Sequence, residues 1–199
     1  MEVALHLWGR CSSRDKEHTM KQILHMVMVA ATTFGMGATA RAEEPPLAIT
    51  LKDSHQVLTV GGSAGKDEDA VVLSPFQLQP GQGFSLKPVG NPEDRLFNII
   101  SQQSGKCVDV KDGSREEGAL IVQRPCNGAE CQIFQVSDRG ADGHRELRNK
   151  LSGKCLAASR GQSNSSTPLI QSNCTLQDVQ RFRISPAQTI ASTSDTPAG

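Results

Sequence analysis

The sequence predicts an all-β chain of three like units, each of four short strands, sharing one interior. Two observations carry that reading. The stretch SGKC occurs at Ser104–Cys107 and again at Ser152–Cys155, 48 residues on, and its surroundings repeat at matching offsets, as a fixed-period architecture requires. The segments between turn clusters are short, apolar and rich in β-branched residues, with no helical period long enough for a helix.

The repeat is seen by setting Cys107, Cys126, Gln132 and Phe134 above Cys155, Cys174, Gln180 and Phe182, whose internal offsets are 19, 6 and 2 in both rows. Carried back to an earlier row, the same offsets meet Val57, Phe76, Gln82 and Phe84, so the Gln-x-Phe element survives and an apolar pair replaces the cysteines. Eight residues upstream of each row stands an apolar residue, Ile49, Ile99 or Leu147.

The strands follow in order. In the first unit, about 46–90, they are LAITL, QVLTV, AVVL and FSL; in the second, 91–138, they are FNII, CVDV, ALIV and IFQV; the third spans 139–185. Gly-, Asp- and Ser-rich clusters such as GGSAGKDED, KDGSREEG and SRGQSNSS stand between strands, and VGNPED and DRGADGH between units. Each unit has too few apolar side chains for a core of its own, so the three must close on one another. The tail from 186 to 199, poor in apolar residues, is expected to be disordered.

The N-terminus reads as an export signal. From Met20, Lys21 precedes an apolar run from Ile23 to Ala38, and Ala40-Arg41-Ala42 has the small-x-small form of a cleavage site. Residues 20–42 are therefore expected to be removed, leaving a chain that begins at Glu43 in a secreted or periplasmic setting without a membrane anchor. Residues 1–19 place charges ahead of a complete signal and read as an upstream mis-called start. With Trp8 excluded, the rest has no tryptophan and no tyrosine.

The pattern SGKC followed by Val108-Asp109-Val110, a second cysteine, and then Gln-x-aromatic, three times over, resembles the ricin-B-type β-trefoil lectin domain across roughly Pro46 to Ser185. The resemblance implies a β-trefoil of three pseudo-symmetric repeats. In that family three Gln-x-Trp aromatics meet in the common core. Phe84, Phe134 and Phe182 take those places here, following Gln82, Gln132 and Gln180, and no indole N–H needs a partner.

In an oxidising compartment two equally spaced cysteine pairs read as disulfides, Cys107 with Cys126 and Cys155 with Cys174. Zinc is the rival, but the pairs lack C-x-x-C spacing and the first unit dispenses with both cysteines, so no metal or other cofactor is expected. Cys131 is left over. It reads as a small buried apolar side chain, with an interchain bond or exchange with Cys126 as the alternative.

The resemblance also implies a sugar corner: an Asp after the first cysteine, an aromatic two residues before the second, and an Asn before the Gln. In the second unit these positions hold Asp109, Arg124 and Cys131; in the third, Ala157, Ser172 and Val179; in the first, Thr59, Ser74 and Gly81. Only the second unit keeps the acid, and none keeps the stacking ring. The candidate ligand residues are thus Asp109 and Gln132 with Lys111, Asp112 and Arg124, in a degenerate site. The structural alternative is that Asp109 caps the VKDG turn.

Catalysis is not expected. Past the signal only His55 and His144 remain, in non-equivalent turns, and the acidic clusters KDED and SREEG read as solvated loops. Twenty-one basic residues balance 21 acidic ones, which gives no electrostatic reason to expect nucleic acid. The function expected is an exported, non-catalytic recognition module that binds a glycan. The alternative is a protein-interaction module, an inhibitor or delivery subunit of another exported protein, with no sugar bound.

Overall fold

The computed structural model describes residues 44–62, 65–159 and 166–193. The expected upstream start and signal peptide, 1–42, lie outside them. Twelve strands follow in three sets of four: β1 (Leu47–Leu51), β2 (Gln56–Val60), β3 (Val71–Pro75) and β4 (Phe84–Pro88); β5 (Leu96–Ser101), β6 (Cys107–Val110), β7 (Ile121–Arg124) and β8 (Phe134–Val136); β9 (Leu147–Asn149), β10 (Cys155–Ala158), β11 (Thr167–Ser172) and β12 (Phe182–Pro186). The all-β reading and the three-fold repeat are borne out.

The first and fourth strands of each set form one ring. β12 pairs β1, β1 pairs β4, β4 pairs β5, β5 pairs β8 and β8 pairs β9, all antiparallel, and an Arg145–Phe182 bridge brings the third repeat back to β12. The second and third strands make hairpins, β2–β3, β6–β7 and β10–β11. These hairpins join one another through β3–β11 and through bridges Ala70–Val122 and Leu120–Ile170. A closed ring leaves few strand edges exposed, which suits strands this short.

The interior is what the repeat pattern calls for. Phe84, Phe134 and Phe182 are each 0% exposed, as are Ile49, Ile99 and Leu147. Each Gln-x-Phe glutamine sits in a one-turn 3-10 helix, Pro80–Gln82, Glu130–Gln132 and Asp178–Gln180, that turns its amide inward.

SGKC has a structural explanation beyond its cysteine. Gly105 and Gly153 take φ of +68° and +70°, a region costly for any side chain. Their N–H groups close a turn onto the carbonyls of Ser101 and Asn149 at 2.8 and 2.9 Å. The hydroxyls of Ser104 and Ser152 donate to Gln123 Oε1 and Gln171 Oε1 at 2.7 and 2.8 Å. Those glutamines, 0% exposed, reach into the loop of the preceding repeat: Gln123 Nε2 donates to the Lys66 carbonyl at 2.9 Å, and Gln171 Nε2 to the Glu116 carbonyl at 2.7 Å. The motif is thus a clamp between repeats, worth about 1 kcal/mol per buried bond.

Both expected disulfides are present, Cys107–Cys126 and Cys155–Cys174, each with Cα atoms 5.1 Å apart, inside the ordinary range. In the first repeat Val57 is fully buried and Phe76 half-buried at the corresponding places. The reading of Cys131 needs correcting. It is 0% exposed, as expected, but it is disulfide-bonded and so is not merely an apolar filler.

The tail also departs from expectation. Ala187–Thr193 form a helix, α1. The Ala187 N–H donates to the Pro46 carbonyl at 2.8 Å and its side chain is 6% exposed. Composition averaged over the tail hid this, because it does not register where a small residue such as Ala187 is buried or where its N–H finds an acceptor.

Candidate functional site

The second repeat's corner is assembled by the β6–β7 hairpin and the turns on either side of it. Asp109 on β6 faces Val122 on β7, and Arg124 lies two residues along β7, on the same side of the ladder, opposite Cys107. Asp112 follows β6 with φ of +57°, and Gln132 closes the corner from the 3-10 turn before β8.

Gln132 first serves the fold. Its Oε1 accepts from the Asn127 N–H at 2.9 Å and its Nε2 donates to the Pro125 carbonyl at 3.0 Å. Gln82 makes the same two bonds, with the Gln77 N–H and the Pro75 carbonyl, each at 2.8 Å. Gln180 makes them with the Thr175 N–H and the Asn173 carbonyl, each at 2.7 Å. The amide ties the loop before it to the ring in all three repeats, which explains its recurrence independently of any ligand.

What differs is the remaining amide hydrogen. In the second repeat Gln132 Nε2 donates to Asp109 Oδ2 at 2.9 Å. In the first it meets the hydroxyls of Thr59 and Ser74, each at 3.3 Å. In the third, Ala157 offers nothing. Asp109 is 0% exposed, and its second oxygen, Oδ1, is buried without a hydrogen-bond partner. Burial pushes the Asp109 carboxyl above the ordinary carboxylate range, against the opposing pull of Gln132 and Arg124.

Arg124, 9% exposed, stands where the resembled family has its stacking ring. Its Nη2 donates to Glu68 Oε1 at 2.6 Å and to Asp112 Oδ1 at 2.9 Å. Burial acts to lower the guanidinium's pKa, but Asp112, Glu68 and Asp109 outweigh it and raise it. Asp109, Gln132, Arg124 and Asp112 are therefore brought together. Lys111 joins the hairpin through its backbone, its N–H donating to the Leu120 carbonyl at 2.9 Å.

Glu68 escaped the sequence reading, which treated KDED as a solvated loop. It belongs to the first repeat and reaches the second only because Gln123 holds its loop: the Glu68 N–H donates to the Gln123 carbonyl at 2.8 Å. No signal within the second repeat announces it.

The corner is a buried carboxylate with one unfilled acceptor, fenced by a guanidinium whose charge is shared with two other acids. Such an oxygen accepts strongly from a hydroxyl.

Comparison with known proteins bears out the resemblance. Residues 80–172 match the family described as ricin-type beta-trefoil lectin domain-like. No curated protein matches the chain. Among solved structures, the designed three-fold symmetric protein ThreeFoil is similar at 25% identity and a TM-score of 0.65, over 69% of this chain and 96% of that one. An exo-beta-1,3-galactanase from Clostridium thermocellum is similar at 22% identity and TM-score 0.66, over 72% of this chain and 30% of the enzyme. A lectin from Polyporus squamosus is similar at 15% identity and TM-score 0.59, over 72% of this chain and 50% of the lectin. The chain thus spans less than a third of the galactanase and half of the lectin.

Proposed function

We propose, from the premise that this chain is a β-trefoil whose residues 80–172 read as a ricin-type lectin-like domain, that it is an exported carbohydrate-recognition module with a single degenerate corner at Asp109. The observation that carries this reading is the Asp109 carboxylate. The second repeat alone retains the acid, and its Oδ1 lacks a partner at the place where the resemblance puts sugar hydroxyls. A purely structural residue would have been satisfied as Thr59 is, by the Val57 carbonyl and the Ser74 hydroxyl, at 3.1 and 2.7 Å. The disulfides support an oxidising compartment. Without a stacking ring, the affinity is weak.

The repeats supply the test. Asp109→Thr installs the first repeat's residue, which still accepts from the glutamine, so the fold should persist while binding to a neutral glycan array falls at least about tenfold, the loss expected of one charge-assisted bond. Arg124→Ser, the residue type at Ser74 and Ser172, removes the fence and should strengthen binding. Undiminished binding in a folded Asp109→Thr variant would discard the corner.

A second reading, a module that docks another protein, rests on Leu78 and Leu176. They occupy equivalent loop positions, 62% and 70% exposed, with φ of +53° and +59°. The second repeat places Gly128 there, at φ +77°. A bulky side chain in this region is strained by about 1–2 kcal/mol, so exposed leucines there cost the fold something. Leu78→Gly and Leu176→Gly should each leave the thermal midpoint unchanged or raise it. A lowered midpoint would mean that the leucines serve the fold, and the docking reading would lose its support.

A further inference from the structure

Outside the ring, on the first repeat's side, lies a groove of about 1010 Å³, at the upper end of the range for small-molecule sites. Its floor follows from strand register. Arg183 on β12 pairs with Thr50 on β1, and Thr50 pairs with Val57 on β2. Directly paired residues project from one face, here the face away from the core that Ile49 and Phe182 fill. Arg183 and Val57 therefore stand about 10 Å apart across three strands, with Thr50 between them. Beside Val57 is Phe76, the aromatic that replaces a disulfide half. The β1–β2 turn carrying His55, the loop carrying His144, and α1 form the walls.

The chemistry of this groove is asymmetric. One end is cationic. Arg183 Nη2 donates to a neutral acceptor, the Asp142 carbonyl, at 3.3 Å. The nearby Asp142 carboxylate is already engaged by Arg181 at 2.8 Å and Lys52 at 3.5 Å, and Lys52 also holds Asp178 at 2.7 Å. The acid on the rim, Asp53, is 71% exposed and stands 4.0 Å from Lys52. The other end is apolar, with Phe76, Val57 and Pro75. Between them lie two polar groups: Thr50 Oγ1 is buried and lacks a hydrogen-bond partner, which is costly, and His144 Nδ1 stands 3.4 Å from Asp142 Oδ2. The sequence treated His55 and His144 as unrelated turn residues, yet both line this one groove.

We propose that the groove is a second ligand site, separate from the Asp109 corner, for an oligosaccharide bearing an acid group. The acid pairs with Arg183, a ring packs on Phe76, and hydroxyls meet Thr50, Ser185 and the histidines. A guanidinium recognises a planar carboxylate bidentately and a sulfate ester through the same charge-assisted bonds, so both sources of the anion share this chemistry. The site rests on the proposed role only in that the trefoil recognises glycans, and it stands or falls without Asp109.

Isothermal titration of the full chain with trigalacturonate, a sulfated trisaccharide and neutral maltotriose tests it. Binding of at least one acidic probe should be ten times tighter than that of maltotriose and weaken with added salt. Arg183→Gln, at an exposed position, should lose at least tenfold of that binding, Phe76→Ala should weaken it, and Asp109→Thr should leave it unchanged. Preference for trigalacturonate over the sulfated sugar, or the reverse, identifies the source of the anion. The proposal is overturned if neither acidic probe binds, if maltotriose binds equally well, or if Asp109→Thr abolishes acid binding while Arg183→Gln does not.

Discussion

Phe134→Ala is expected to lower the unfolding free energy by about 4 kcal/mol, within the range for removing a large buried aromatic. Phe134 is 0% exposed and lies in the ring at the start of β8, paired with Phe97 on one side and Asn149 on the other. Its counterparts Phe84 and Phe182 are equally buried, so the three rings belong to one interior that none of the repeats can fill alone. The loss should therefore be felt across the whole trefoil, as a single cooperative transition at lower urea with an unchanged m-value. Urea denaturation followed by far-ultraviolet circular dichroism measures it. A cost below about 1 kcal/mol, or a biphasic transition in which one repeat unfolds by itself, would contradict a shared core.

The second large effect concerns the third repeat's disulfide. Replacing both Cys155 and Cys174 by alanine should cost about 3 kcal/mol, chiefly by freeing a loop of this size in the unfolded chain. Cys155 is 0% exposed, so the alanine also leaves a small cavity. Cys155→Val with Cys174→Phe, the first repeat's own residues at Val57 and Phe76, should recover about 1 kcal/mol of that loss by refilling the space while leaving the loop unconstrained. Urea midpoints of the two double variants decide the matter. If the valine–phenylalanine pair is less stable than the alanine pair, then the first repeat's apolar solution depends on surroundings that the third repeat lacks.

Much of the fold was legible because a tandem repeat writes the same spatial demand three times along the chain. The offsets of Cys107, Cys126, Gln132 and Phe134 recur at Cys155, Cys174, Gln180 and Phe182, so they disclosed both disulfides and the core aromatics before any pairing was known. The Gln-x-Phe glutamines were legible as recurring positions, but their task was not. Only the folded structure has each amide making the same two backbone bonds five and seven residues upstream. Of the candidate ligand residues, Asp109, Gln132, Arg124 and Asp112 converge, since the hairpin register is local and the motif implies it.

The sequence by itself determined the repeat, its strands, the two disulfides of equal spacing and the presence of an acid at one of the three equivalent positions, because each is a matter of residue type at fixed separation. Tertiary structure alone decided what meets across repeats. Glu68 is brought onto Arg124 at 2.6 Å over 56 positions of chain, and His55 joins His144 and Arg183 around one groove. α1 begins where the Ala187 N–H meets the Pro46 carbonyl, across the whole length of the trefoil sequence. These contacts carry no periodic signal. The ring brings its first strand beside its last, and the residues that close such a ring are neighbours only once it has closed.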